Sequence, residues 1–222
     1  NMHETDHFEA AKTIAKKTSS LKALFQHPKE VLLVVGLTMG GTTAFYTYTT
    51  TMQKILRLQV KLTDDQTTTV VFGSLLLATL LQPIYGAISD KIGRRPLLMM
   101  FGILGTLCTI PLLTMLAGTK DPWVAFIIVC AAWMIVAGYT SINAVVKAEL
   151  FPTNVRAMGV GLPYAITVAV FGGTADFVAL KMQELGHPEW YYWYLTGVIF
   201  LSFLVYATMR DTKKDSAMER HS

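Results

Sequence analysis

From Val31 to Met209 the chain is a succession of long apolar runs broken by short polar turns. Each run is close to the roughly 20 residues that an α-helix needs to cross the hydrocarbon core of a bilayer. Six membrane-spanning helices are predicted, over residues 31–52, 67–88, 96–117, 123–146, 160–180 and 190–209. Aromatic residues mark segment ends: Trp123 opens the fourth run, and Trp190, Tyr191, Tyr192, Trp193 and Tyr194 open the sixth. Amphipathic rings anchor in this way at the headgroup layer. Pro83, Pro111 and Pro163 fall inside apolar runs, where neighbouring helices re-satisfy the freed carbonyls. The pattern predicts an all-α integral membrane unit.

Residues 1–30 break the pattern, being polar and mixed in charge, with no visible signal peptide. Phe8, Ile14, Leu21, Leu24 and Phe25 recur loosely at helical spacing among lysines. Two readings stand, an amphipathic helix on the membrane surface and a solvated linker, and the thin apolar stripe favours the linker. Position 1 is Asn rather than Met, which fits a chain cut from something longer. The predicted organisation is a cytoplasmic linker over 1–29, a six-helix unit over 30–210 and a cytoplasmic tail over 211–222.

Composition supports this reading and charge orients it. Hydrophobic residues make up 52% of the chain and charged residues 15%, against about 25% charged in soluble domains. Mean hydropathy is +0.43. A net charge of +4 would suggest nucleic acid in a soluble protein, but its distribution points to a membrane instead, and no nucleic-acid partner is expected. Of the 19 Lys and Arg, only Lys54, Arg57, Lys61, Lys120 and Lys181 fall on the side away from the termini. The positive-inside bias therefore places both termini in the cytoplasm. Cys108 and Cys130 lie in different runs, without a CxxC or a His cluster nearby, so neither a disulfide nor a metal site is expected. The chain has no HExxH, GxSxG or Walker loop and no pair of intramembrane aspartates, so neither catalysis nor a cofactor is expected.

Two turns on the cytoplasmic side carry motifs. Between the second and third runs lies Gly86-Ala-Ile-Ser-Asp90-Lys-Ile-Gly93-Arg94-Arg95. Its glycines are expected to allow close backbone approach, and Asp90 to cap or pair with charge at a neighbouring helix end. After the fourth run comes Glu149-Leu-Phe-Pro152-Thr-Asn-Val-Arg156, in which Pro152 ends the helix and Glu149 and Arg156 are placed to pair.

The first turn matches the Gly-x-x-x-Asp-x-x-Gly-Arg-Arg signature of the major facilitator superfamily, and the second resembles the Glu-x-Phe-Pro-x-x-x-Arg turn of its sugar and metabolite porters. Within that superfamily the chain resembles the metabolite:proton symporter branch, on residues 45–50, 52–54, 82–95, 147–152, 155–162 and 171–176. The resemblance implies one half of a twelve-helix fold, helices seven to twelve, built as two inverted three-helix repeats. It implies alternating access, with a cavity between the halves near the midplane. The implied solutes are protons and a small organic acid, a dicarboxylate such as 2-oxoglutarate, although relatives carrying citrate, proline or shikimate share the same turns. It further implies a bacterial inner membrane, a missing N-terminal six-helix half as partner, and a gating role for Gly86, Asp90, Gly93, Arg94 and Arg95. A non-transporting scaffold and a naturally split half remain as alternatives.

Within the spans a few polar residues are candidates for the cavity. Thr38, Thr42, Tyr46 and Thr49 fall near one face of the first run, where Tyr46 suits either cavity or packing and the threonines suit packing. Gly36 and Gly40 predict a close helix approach. Tyr139, Asn143 and Lys147 form a second stripe, at steps of four. Lys147 either meets a substrate carboxylate, or snorkels to the interface or pairs with Glu149. Asp176, near the outer end of the fifth run, is either a coupling or gating carboxylate or a hydrated structural acid.

Overall fold

The computed structural model describes residues 28–151, 156–209 and 212. Among these, the structure is all-α, with six helices long and apolar enough to cross a membrane. Helix α1 spans Pro28–Val60, α2 Asp64–Ile92, α3 Arg95–Gly118 and α4 Pro122–Glu149. Helix α5 is built from Arg156–Thr167, a π-turn over Val168–Gly172 and Ala175–Glu184, and α6 spans Glu189–Thr208. Linker residues 1–27, the tail apart from Thr212, and Pro152 lie outside the described residues, while Pro28 and Lys29, expected in the linker, open α1.

The six predicted runs match these helices, which extend past the expected bounds except at the end of α6. The first was expected to stop at residue 52. It runs on to Val60 through two π-turns, Thr47–Thr51 and Leu56–Val60, because Ile55, Leu56 and Val60 keep a buried face. Lys61 ends it in the left-handed conformation at φ 65°. Helix α2 starts at Asp64 because Thr63 and Gln66 form a reciprocal capping box. Pro83, Pro111 and Pro163 all sit inside continuous helices. Helix α4 breaks briefly between Thr140 and Asn143, where the Asn143 amide donates to the Thr140 carbonyl at 2.8 Å.

The packing repeats itself when helices α1–α3 are exchanged for α4–α6. The α2–α4 contact corresponds to α5–α1, α3–α4 corresponds to α6–α1, and α3–α6 and α1–α4 map onto themselves. Burial follows the same symmetry. In the apolar windows of α1 and α4, 61% and 56% of residues are buried, against 17% in both α2 and α5. Helices α1 and α4 thus form the centre, α3 and α6 back them, and α2 and α5 carry broad uncovered faces.

Helices α1 and α6 meet at the predicted glycines. A Cβ on Gly40 would lie 2.8 Å from the Ile199 Cα, and one on Gly36 would lie 2.6 Å from Val205. The Ser202 hydroxyl occupies this groove, accepting from the Gly40 N–H at 2.9 Å and donating to the Gly36 carbonyl at 2.6 Å. It thus bonds to an N–H and a carbonyl one helical turn apart on α1.

Candidate functional site

Helices α1, α2, α4 and α5 wall a partly open cavity of about 490 Å³. Three of the four predicted cavity residues meet there: Tyr46, Tyr139 and Asn143. Tyr46 serves both of its expected roles, since it borders the cavity and its ring packs where a Cβ on Gly172 would lie. Tyr139 lies across Gly41, where any side chain would collide with its ring. Thr42 and Thr49 also reach the wall, while Thr38 is fully buried. The threonines therefore divide between lining and packing.

The wall also holds residues that were not among the cavity candidates: Gln82, Trp133, Thr140 and Tyr164. Gln82 accepts from the Thr140 hydroxyl at 3.0 Å and donates to the Ala78 carbonyl at 2.8 Å, tying α2 to α4. The Trp133 indole N–H and the Tyr139 hydroxyl are buried without a hydrogen-bond partner among the described residues. Unmatched aromatic residues of this kind are hard to pick from sequence, because a Trp in an apolar run usually reads as core.

Lys147 corrects an expectation. It neither snorkels nor pairs with Glu149, and is 2% exposed. Its ammonium donates to Asn143 Oδ1 at 3.0 Å and sits 3.9 Å from the Tyr164 ring centroid and 5.8 Å from that of Tyr139. Two aromatic faces and an amide oxygen replace water around the cation, and Glu149 is already engaged elsewhere.

That engagement joins the two motif turns. Glu149 accepts a charge contact from Arg94 at 3.5 Å and a hydrogen bond from Thr212 at 2.5 Å. Arg94 also binds Asp90 at 2.6 Å and Ser89 at 2.7 Å. Burial of the guanidinium works against its charge, but the Asp90 and Glu149 carboxylates outweigh that effect and raise its pKa above the usual arginine value. Arg95 donates to the Ala207 carbonyl at 2.7 Å, closing the end of α6. The expected Glu149–Arg156 pairing falls outside what is described, since the Arg156 side chain is not. Gly93 needs to be glycine for its φ of 100°. Gly86 does not show its expected close approach: among the described residues nothing lies within 4 Å of where its Cβ would be. It sits on α2, one of the two helices whose faces are least covered.

At the opposite end, Asp176 is neither alone nor merely hydrated. It binds Lys54 at 2.8 Å and accepts a hydrogen bond from Thr51, linking α1 to α5 beside the π-turns of both. Gln59 extends this fastening to Gln183 and Tyr192.

Comparison with known proteins gives these features a context. Residues 2–222 match the family described as sugar (and other) transporter. The chain is 41% identical to the alpha-ketoglutarate permease of Escherichia coli over 86% of its own length and 44% of that protein's. It is 28% identical to a citrate-proton symporter of Salmonella typhi, over 85% of its length and 42% of that protein's. Against the proline/betaine transporter of Escherichia coli the identity is 21%, over 88% and 39%. The chain therefore spans less than half the length of the curated relatives it matches. No solved structure matches it significantly.

Proposed function

The chain belongs to the sugar (and other) transporter family, and from that premise we propose that it forms half of a proton-coupled importer of organic acids. The half is the C-terminal one, helices seven to twelve, with both termini in the cytoplasm of a bacterial cell. The observation that carries the reading is the cavity: it is walled by the two central helices together with α2 and α5, whose faces this chain leaves uncovered. A second six-helix half laid on α2 and α5 would cover these faces and complete the cavity, giving a site open alternately to either side. In this reading the contact of Asp90, Arg94 and Glu149 holds one of those states closed. The 41% identity to a permease named for alpha-ketoglutarate favours that dicarboxylate as substrate.

The test is uptake of labelled 2-oxoglutarate by cells or liposomes containing the complete transporter, under an inward pH gradient. Saturable uptake abolished by a protonophore is expected. Uptake that ignores the gradient overturns proton coupling, and uptake of proline or betaine in place of every carboxylate overturns the substrate class. Sequencing the DNA upstream of Asn1 tests the architecture: six further spans are expected, with a second Gly-Arg-Arg turn after the second of them.

A further inference from the structure

Charge at the cavity sits behind its wall. None of the lining side chains is charged among the described residues, but Lys147 lies directly beneath three of them, in contact with Asn143, Tyr164 and Tyr139. No carboxylate pairs with this ammonium among the described residues. The wall itself is aromatic, and an aromatic wall is equally suited to a quaternary ammonium. Composition of the lining alone would leave these two ligand classes level.

We infer that Lys147, seated on the face of Tyr164, is the specificity-determining residue that makes this cavity accept carboxylates and reject solutes carrying an ammonium or quaternary ammonium group. The inference rests on the reading of the chain as part of an organic-acid transporter and deepens it. A cation a few ångströms behind an uncharged wall attracts an anion in the cavity by a few kcal/mol even at an effective dielectric of about 20. The same cation repels a positive group equally. Cation–π capture by Tyr164 is pre-empted as well, because that ring already carries the chain's own ammonium at 3.9 Å.

The experiment uses the complete transporter in liposomes, with labelled 2-oxoglutarate uptake competed by succinate and by glycine betaine. For the wild type, succinate competes and betaine does not. Lys147→Gln raises KM for 2-oxoglutarate about tenfold or more, while Lys147→Arg keeps it within a few-fold. The decisive readout is the competition profile: betaine begins to compete in Lys147→Gln, because the Tyr164 ring is freed. A purely structural lysine would lower the amount of active protein without changing that profile. If Lys147→Gln fails to fold, as judged by size-exclusion in detergent, Lys147→Met is read in its place by the same competition profile. Betaine competing with the wild type as well as succinate does, or Lys147→Gln with unchanged KM and profile, overturns the inference while leaving the transporter reading intact. A wild type that neither takes up nor is thermally stabilised by any organic acid overturns that reading, and the inference with it.

Discussion

Arg94 holds two carboxylates of very different exposure, and the difference separates stability from gating. The side chains of Arg94 and Glu149 are 13% and 11% exposed, whereas that of Asp90 is 70% exposed. Arg94→Gln leaves Glu149 buried without its cation, a loss of about 3 kcal/mol or more. A large drop in the melting temperature of the detergent-solubilised transporter is expected. Asp90→Asn removes a contact that water screens and costs less than about 1 kcal/mol. It is nonetheless expected to depress transport if the turn has its proposed gating role, since a gate biases the equilibrium between conformations. Wild-type uptake at normal surface expression would show that Asp90 has no such role. The residue scale is also where sequence was least informative. Lys147 was legible as a cation on a polar stripe, but its burial depends on Tyr164 from another span and on Arg94 having engaged Glu149.

At the scale of elements, α1 and α5 each contain π-turns in the half that Lys54 and Asp176 fasten together. A carboxylate fixed by an ion pair and a carboxylate that carries the coupling proton respond differently to exchange of charge. If the pair acts as a fastening, the double variant Lys54→Asp with Asp176→Lys recovers uptake that each single variant loses. A double variant as inactive as the singles points instead to a specific protonation role for Asp176. The α1–α6 groove gives a second prediction. Gly40→Ala places a methyl against the backbone of α6 and costs about 1–3 kcal/mol, whereas Ser202→Ala only removes the hydroxyl's two hydrogen bonds to α1 and costs about 1 kcal/mol or less. Thermal melts of the two variants should therefore rank in that order. This groove was visible in sequence because small residues at a four-residue step have one main use in a membrane. The extension of α1 to Val60 was not, because hydropathy fades before the helix does.

For the molecule as a whole, the exchange symmetry of the packing explains why the spans were legible and the site only partly so. Span number and order follow from apolar run length, a property of each segment alone. The cavity arises where four segments meet, so Tyr46, Tyr139 and Asn143 were found by their spacing, while Gln82, Trp133 and Tyr164 needed the assembled bundle. Gly86 failed its expectation for a related reason: it lies on a helix that this chain leaves largely uncovered. A unit with two such faces is expected to be unstable on its own. Expressed alone, residues 1–222 should give no uptake and aggregate in mild detergent, and co-expression with the proposed N-terminal half should restore both. A stable, monodisperse preparation of the lone chain would count against that half.

The Ser202 insertion bears on how the chain is made. Gly40 and Ser202 are 162 residues apart, so at about 5–20 residues per second the ribosome completes α1 roughly ten to thirty seconds before the partner that fills its groove. During that interval α1 sits in the membrane with its glycine face unoccupied. The groove on α1 is thus filled only once α6 has emerged. Any message truncated before α6 yields a product whose α1 keeps that groove open, a defect within reach of membrane quality control.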